Sequence, residues 1–124
     1  MNGTKAPSKT TFYGLYDRAN GFDFQGPFFL PSRYLEGRSK LDLSTPFNFV
    51  TTNDIIGGNS GSPVVNSAGE IVGLVFDGNI ESLVGDYVYD VETNRTVAVH
   101  TAAMTEALRK LYGAQKLLDE MLGN

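Results

Sequence analysis

Short apolar stretches separated by turn residues run through most of the chain, and this pattern predicts strands. The stretches that combine β-branched or aromatic residues with flanking Gly, Pro, Asn or Asp are residues 11–16, 47–52, 63–66, 70–76, 87–90 and 95–99. Turn residues 67–69 and 92–94 join the last four stretches into two β-hairpins. Short strands at such close spacing indicate a barrel or a sandwich.

Between the first two strands the pattern is less regular. Residues 17–21 have the composition of a turn, and the aromatic-rich residues 22–30, interrupted by Pro27, are expected to be extended. Residues 32–43 are polar and predict a short helical turn around residues 33–36.

The pattern changes to helical spacing after His100. Thr101 is a suitable N-cap, and the apolar residues that recur every three or four positions are Ala103, Ala107, Leu108, Leu111 and Tyr112. Gly113 suits a break, and residues 114–122 predict a second short helix. We therefore expect a loose lead-in over residues 1–10 and a folded part over residues 11–124, with terminal helices within residues 101–122.

Composition excludes several classes of function. The chain has 124 residues, a length typical of one domain, and a net charge of −4 without a basic cluster beyond Arg109-Lys110, which argues against nucleic acid as a partner. No apolar run approaches the roughly 18 residues of a membrane span, and residues 1–7 do not resemble a signal peptide. Since there is no cysteine, disulfides and thiolate metal sites are excluded. We expect neither a metal nor a cofactor.

The candidate chemistry lies in the run Gly57-Gly58-Asn59-Ser60-Gly61-Ser62-Pro63. Its form, Gly-X-Ser-Gly-X-Pro, resembles the nucleophile loop of chymotrypsin-like serine peptidases. The resemblance implies that Ser60 is the nucleophile, and that the backbone N–H groups of Gly58 and Ser60 form the oxyanion hole. The alternative is a glycine-rich hairpin loop in which Ser60 has no catalytic role.

A base for Ser60 does not precede it in the sequence. Chymotrypsin-like enzymes have the order His, Asp, Ser, whereas the one histidine of this chain, His100, follows Ser60. We therefore interpret the chain as the carboxy-terminal part of a larger enzyme, inactive by itself. A self-sufficient peptidase that uses His100, oriented by Asp86 or Asp90, is a less favoured alternative.

A longer resemblance surrounds the loop. Residues 45–55, the loop itself, Gly69-Glu70, residues 72–74 and residues 76–79 together closely resemble the bacterial dipeptidyl-peptidase 7 and 11 family, over roughly residues 11–121. The resemblance implies a mainly β fold: a chymotrypsin-like second β-barrel with carboxy-terminal α-helices. It also implies release of dipeptides from peptide amino termini in the periplasm of Gram-negative bacteria.

The resemblance further implies partners and site residues. Members are homodimers with an amino-terminal barrel, which holds the catalytic His and Asp, and a large helical domain; this chain has neither. Asp77 matches the residue that binds the α-ammonium group of the substrate. The next position carries Arg in acid-specific members and is Gly78 here, so we expect apolar rather than acidic side chains before the cut bond. His100 stands where the family has Asp.

A second function class stays open. A stand-alone peptide-binding domain, derived from such a peptidase, would bind peptide amino termini through Asp77 without cutting them. Two further residues near Ser60 have simpler interpretations: Ser62 is expected to pack or form a local hydrogen bond, and Asp54 to order the loop.

Overall fold

The computed structural model describes residues 8–79, 92 and 94–123, which contain five strands and four α-helices. The strands are β1 (Lys9–Thr11), β2 (Pro46–Thr51), β3 (Pro63–Val65), β4 (Ile71–Gly78) and β5 (Thr96–His100). The helices are α1 (Phe12–Gly21), α2 (Ser32–Gly37), α3 (Thr101–Lys110) and α4 (Gln115–Leu122). Short 3-10 turns cover Gly26–Phe28 and Arg38–Lys40.

The strands form one sheet in the spatial order β1-β2-β5-β4-β3. Three neighbouring pairs are antiparallel: β2 with β5, β5 with β4, and β4 with β3. The expected fold class, mainly β with carboxy-terminal helices, is confirmed. So are the hairpin of β3 and β4, the strand β2, the short helix α2, and the two terminal helices on either side of Gly113 (φ +59°).

The prediction of a strand over residues 11–16 and a turn over residues 17–21 is wrong, because residues 12–21 form α1 and Thr11 ends β1. The hydroxyl of Thr11 caps the helix by accepting the N–H of Gly14 at 3.4 Å. Phe12, Tyr16 and Ala19 are buried and follow helical spacing. In the sequence, the aromatic and small residues alternate in the same stretch, and this alternation is typical of a strand.

Two other stretches differ from expectation. Residues 22–30 are not continuously extended, since they contain a 3-10 turn and left-handed backbone at Asp23 (φ 54°) and Phe24 (φ 55°). Of the predicted second hairpin, only the later strand, β5, is described; residues 87–90 lie outside the described residues. The lead-in over residues 1–10 stays a prediction for residues 1–7, whereas Lys9–Thr11 form β1.

The chain divides into two compact units. The first comprises the described residues of 1–10 and 48–101, and therefore most of the sheet and the Gly57–Pro63 run. The second comprises those of 11–47 and 102–124, and includes α1. There the hydroxyl of buried Tyr16 donates to the carbonyl of Tyr34 at 2.7 Å, and Phe12 packs against Phe47 with ring centroids 5.0 Å apart.

The helices of the described segments are short. The longest, α1 and α3, have ten residues each, and none of those described meets the length and hydropathy that a membrane span requires.

Gly73 is the place in the sheet where a side chain does not fit. It lies in β4, is buried, and is paired with His100 of β5. A Cβ atom added there would lie 2.6 Å from the ring of Phe49 and 2.6 Å from the carbonyl oxygen of Val99. The backbone oxygen cannot move without disturbing the strand pair.

We expect Gly73→Ala to lower the free energy of unfolding by about 1–3 kcal/mol, because the added methyl overpacks the sheet. Urea or thermal unfolding of the chain measures the change. Gly14→Ala is the matched control, since nothing lies within 4 Å of its added Cβ and alanine favours its helix. A Gly73→Ala chain as stable as the parent would contradict the packing described here.

Candidate active site

The segment that connects β2 to β3, residues 52–62, is called here the nucleophile loop. Ser60 lies near its end and is exposed, with Gly58 (φ +101°) and Gly61 (φ +87°) on either side. A Cβ at either glycine would meet no atom within 4 Å. Backbone conformation rather than space therefore requires glycine at both positions, since left-handed backbone strains other residues.

Asn59 forms hydrogen bonds on both sides of Ser60. Its side-chain Oδ1 accepts the N–H of Ile56 at 2.7 Å, and its own N–H donates to the carbonyl of Ile56 at 3.1 Å. The N–H of Ser62 donates to the carbonyl of Asn59 at 3.0 Å. The turn that presents Ser60 is thus closed by bonds from the residue directly before it.

Val75 of β4 binds the end of the nucleophile loop through both of its main-chain groups. The N–H of Gly61 donates to the carbonyl of Val75 at 2.7 Å, and the N–H of Val75 donates to the carbonyl of Ser62 at 2.9 Å. We call these two contacts the Val75 bond pair. Because Val75 is buried, the residues that follow Ser60 are attached to the interior of the sheet.

The pairing of β4 with β5 changes register directly after Val75. Val75 faces Ala98, whereas Asp77 faces Val97, so Phe76 is an extra residue that has no partner. This is a β-bulge, a feature that redirects the side chains after it. Asp77 is exposed although Val75, two residues earlier, is buried.

Asp77 and Gly78 are the last two residues of β4. The carboxylate of Asp77 accepts the N–H of Gly78 at 2.8 Å. Asn79, the next residue, is joined to Arg95 by two hydrogen bonds: its N–H donates to the carbonyl of Arg95 at 3.0 Å, and its Oδ1 accepts the N–H of Arg95 at 2.9 Å. The end of β4 is therefore ordered rather than a free turn.

The other candidates occupy different places. His100 ends β5, where its ring meets that of Phe49 edge-on at 5.4 Å between centroids. Asp86 and Asp90, its suggested orienting residues, lie outside the described residues, so the self-sufficient peptidase stays a hypothesis. Asp54 is exposed in the nucleophile loop, and Ser62 is half-buried and belongs to the Val75 bond pair through its carbonyl.

A cavity of about 470 Å³ lies beside the nucleophile loop. The residues that line it and belong to the loop or its flanking strand β2 are Thr51, Asn53, Asp54, Ile55, Asn59 and Ser62. The hydroxyl of Thr51 is buried there without a hydrogen-bond partner. Neither here nor in the rest of the described part of the chain is there a group of three or more acidic or histidine residues that can bind a metal ion.

The sequence predicts the residues of the candidate site but not the contacts that connect them. It did not identify Asn59 and Val75 as structural contacts of the loop, nor the bulge at Phe76. The one available signal was Asn59 within a glycine-rich turn, because asparagine side chains commonly bond nearby backbone groups in turns. The Val75 bond pair leaves no such signal, since it uses only main-chain atoms.

Comparison with known proteins assigns the family. Residues 1–123 match the model of the peptidase S46 family. The chain is 37% identical over 120 residues to dipeptidyl-peptidase 7 of Capnocytophaga gingivalis, which covers 90% of this chain and 16% of the relative. It is 41% identical over 80 residues to the Asp/Glu-specific dipeptidyl-peptidase of Porphyromonas endodontalis, 64% of this chain and 11% of the relative.

A solved structure agrees with these sequence matches. The crystal structure of Porphyromonas endodontalis DPP11 in complex with the dipeptide Arg-Glu matches 98% of this chain and 18% of its own, with a TM-score of 0.81 and 26% identity. The chain thus spans less than a fifth of the length of these relatives. With the family model covering almost every residue, the chain belongs to the peptidase S46 family.

Proposed function

We propose that the chain is the nucleophile-bearing carboxy-terminal portion of a serine dipeptidyl-peptidase, acting in the periplasm. The observation that carries the proposal is the Val75 bond pair, which joins the loop of Ser60 to the strand that ends in Asp77 and Gly78. Connected elements would hold the nucleophile at a fixed distance from the group that binds the substrate's amino terminus. That distance would set the length of peptide that is released.

In the proposed reaction Ser60 attacks the second peptide carbonyl of the substrate. A histidine of the amino-terminal barrel takes the hydroxyl proton as the Oγ–C bond forms, and returns it to the amine as the C–N bond breaks. Water then hydrolyses the dipeptidyl ester and releases the dipeptide. The proposed partners are therefore peptide substrates, the amino-terminal barrel and the helical domain, in a homodimer.

The amides of Gly58 and Ser60 are proposed to receive the negative charge of the tetrahedral intermediate. Throughout the residues that the structure describes, neither amide donates a hydrogen bond to another protein group. Both are therefore available to a ligand. The positive φ of Gly58 supports the role, because a left-handed residue turns the backbone sharply two residues before the nucleophile.

Asp77 is proposed to bind the α-ammonium group, and Gly78 to shape the pocket for the residue before the cut bond. An exposed carboxylate at the end of an ordered strand suits the first role. A residue without a side chain suits a pocket for apolar groups. Relatives of the chain include both dipeptidyl-peptidases 7 and Asp/Glu-specific enzymes, so position 78 is the place to test the preference.

The alternative is a peptide-binding domain that does not cut. The exposed carboxylate of Asp77 at the end of β4 would serve such a domain equally well. The two functions differ in what they require of Ser60: binding through Asp77 needs no hydroxyl, whereas hydrolysis does.

The test is a graft: dipeptidyl-peptidase 7 of Capnocytophaga gingivalis in which the segment that aligns with this chain is replaced by this chain's own residues. We expect the graft to release dipeptides from a fluorogenic peptide, and Ser60→Ala to lower kcat at least about 10⁴-fold, since removing the nucleophile removes the chemical step. A folded graft that binds peptide without cutting it would favour the binding domain.

Asp77→Asn tests the binding of the substrate's amino terminus. The variant is isosteric and keeps an oxygen for the N–H of Gly78, so only the charge is lost. We expect kcat/KM of the graft to fall roughly 10- to 100-fold, the value of a charge-assisted hydrogen bond. Hydrolysis of p-nitrophenyl acetate, which has no ammonium group, is expected to be unchanged. Equal losses with both substrates would contradict the role of Asp77.

Gly78→Arg tests the specificity pocket. Gly78 is a strand residue without positive φ, so a side chain imposes no left-handed strain. We expect the preference of the graft to change from an apolar to an Asp or Glu residue before the cut bond, because a guanidinium binds a carboxylate through two hydrogen bonds. Gly78→Leu, which adds bulk without charge, is the control. If the arginine variant still prefers apolar residues, the assignment of position 78 is wrong.

A further inference from the structure

We propose that Asn59 is a positioning residue, one that fixes the turn presenting Ser60 to the substrate. The inference rests on the proposed function of Ser60 as nucleophile. It concerns a residue that does not touch the reacting atoms and acts through the backbone of the nucleophile loop.

The hydrogen bonds of Asn59 enclose the two amides of the proposed oxyanion hole. Its bonds to Ile56, one through Oδ1 at 2.7 Å and one through its N–H at 3.1 Å, close the segment that contains Gly58. Its carbonyl, bound by the N–H of Ser62 at 3.0 Å, closes the segment that contains Ser60. One residue therefore constrains the backbone on both sides of the site.

This constraint is needed because the loop is rich in glycine. Gly57, Gly58 and Gly61 flank Asn59 and Ser60, and glycine reaches far more backbone conformations than other residues. The Val75 bond pair fixes the loop only after Ser60. Before Ser60, the hydroxyl of Thr96 in β5 donates to the carbonyl of Asn53 at 2.7 Å and fixes the start of the loop. The glycine segment that follows is closed by the two bonds between Asn59 and Ile56, one of which is made by the Asn59 side chain.

Neighbouring side chains do not replace this contact. Asn59 lines the cavity of about 470 Å³ beside the loop, so a shorter side chain at this position would face open space. The glycine segment would then rely on main-chain bonds alone. A small displacement of Ser60 is costly, since about 1 Å of misplacement can reduce turnover on the order of 100-fold.

Three variants of the graft separate positioning from general stability. Asn59→Ala removes the side-chain bond, and Asn59→Asp keeps an oxygen that accepts the N–H of Ile56. Asn66→Ala is the matched control, because the Oδ1 of Asn66 likewise accepts the N–H groups of Ala68 (2.9 Å) and Glu70 (3.0 Å) in the β3–β4 turn. The kcat of each variant is calculated from the concentration of active sites, which is determined by active-site titration.

We expect Asn59→Ala to lower kcat roughly 10- to 100-fold with little change in KM, because Ser60 is displaced while the binding residues are retained. Asn59→Asp is expected to recover most of this loss. Asn66→Ala is expected to lower the unfolding temperature about as much as Asn59→Ala, with kcat unchanged.

Unchanged kcat in Asn59→Ala, or an aspartate variant no better than alanine, would overturn the inference. Failure of the proposed function is a separate result. In that case the unmodified graft and its Ser60→Ala variant would hydrolyse peptides at the same rate.

A second measurement tests Asn59 without any activity. Amide hydrogen exchange in the 124-residue chain reports directly on the hydrogen bonds of the loop. We expect Asn59→Ala to accelerate exchange at Ile56 and Ser62, and Asn66→Ala to accelerate it at Ala68 and Glu70 instead. Unchanged protection of Ile56 and Ser62 in Asn59→Ala would overturn the inference whatever the graft does.

Discussion

Two main-chain hydrogen bonds of Val75 connect the candidate nucleophile to the rest of the fold. The carbonyl of Val75 accepts the N–H of Gly61 at 2.7 Å, and the N–H of Val75 donates to the carbonyl of Ser62 at 2.9 Å. A loop of mainly polar and glycine residues has little apolar surface to bury, so its order depends on such bonds. Since Val75 is buried in a strand that pairs with β5, the position of Ser60 follows from the core of the first unit.

Strand β4, which contains Val75, exposes the polar side chain of Asp77 two residues later. In a regular strand Val75 and Asp77 would point to the same face, and a carboxylate would follow a buried valine. The unpaired Phe76 changes this arrangement: the partner of Val75 is Ala98, but that of Asp77 is Val97. One added residue thus lets β4 bury Val75 and still expose Asp77.

The sequence predicted those elements whose pattern is local. The hairpin of β3 and β4 and the terminal helices have turn residues and helical spacing that are visible without tertiary contacts. Helix α1 was misinterpreted, because Phe12 and Tyr16 are buried on one helical face but look like alternating strand residues in sequence. The bulge at Phe76 was invisible, since it exists only in the pairing with β5.

The candidate site shows the same division. Ser60, Gly58, Asp77 and Gly78 were proposed from their resemblance to a family, and the family itself is now shown by the match over residues 1–123. Their individual roles stay predictions. What the sequence could not give is the connection between them, because the Val75 bond pair is made by main-chain atoms that every residue type possesses.

The most direct test of the role of Ser60 is to identify the serine that reacts. The graft is treated with a fluorophosphonate probe, digested, and the modified residue is located by mass spectrometry. We expect one adduct, on Ser60, which disappears when the catalytic histidine of the host enzyme is replaced. An adduct on Ser62, or an active graft whose Ser60 stays unmodified, would contradict it.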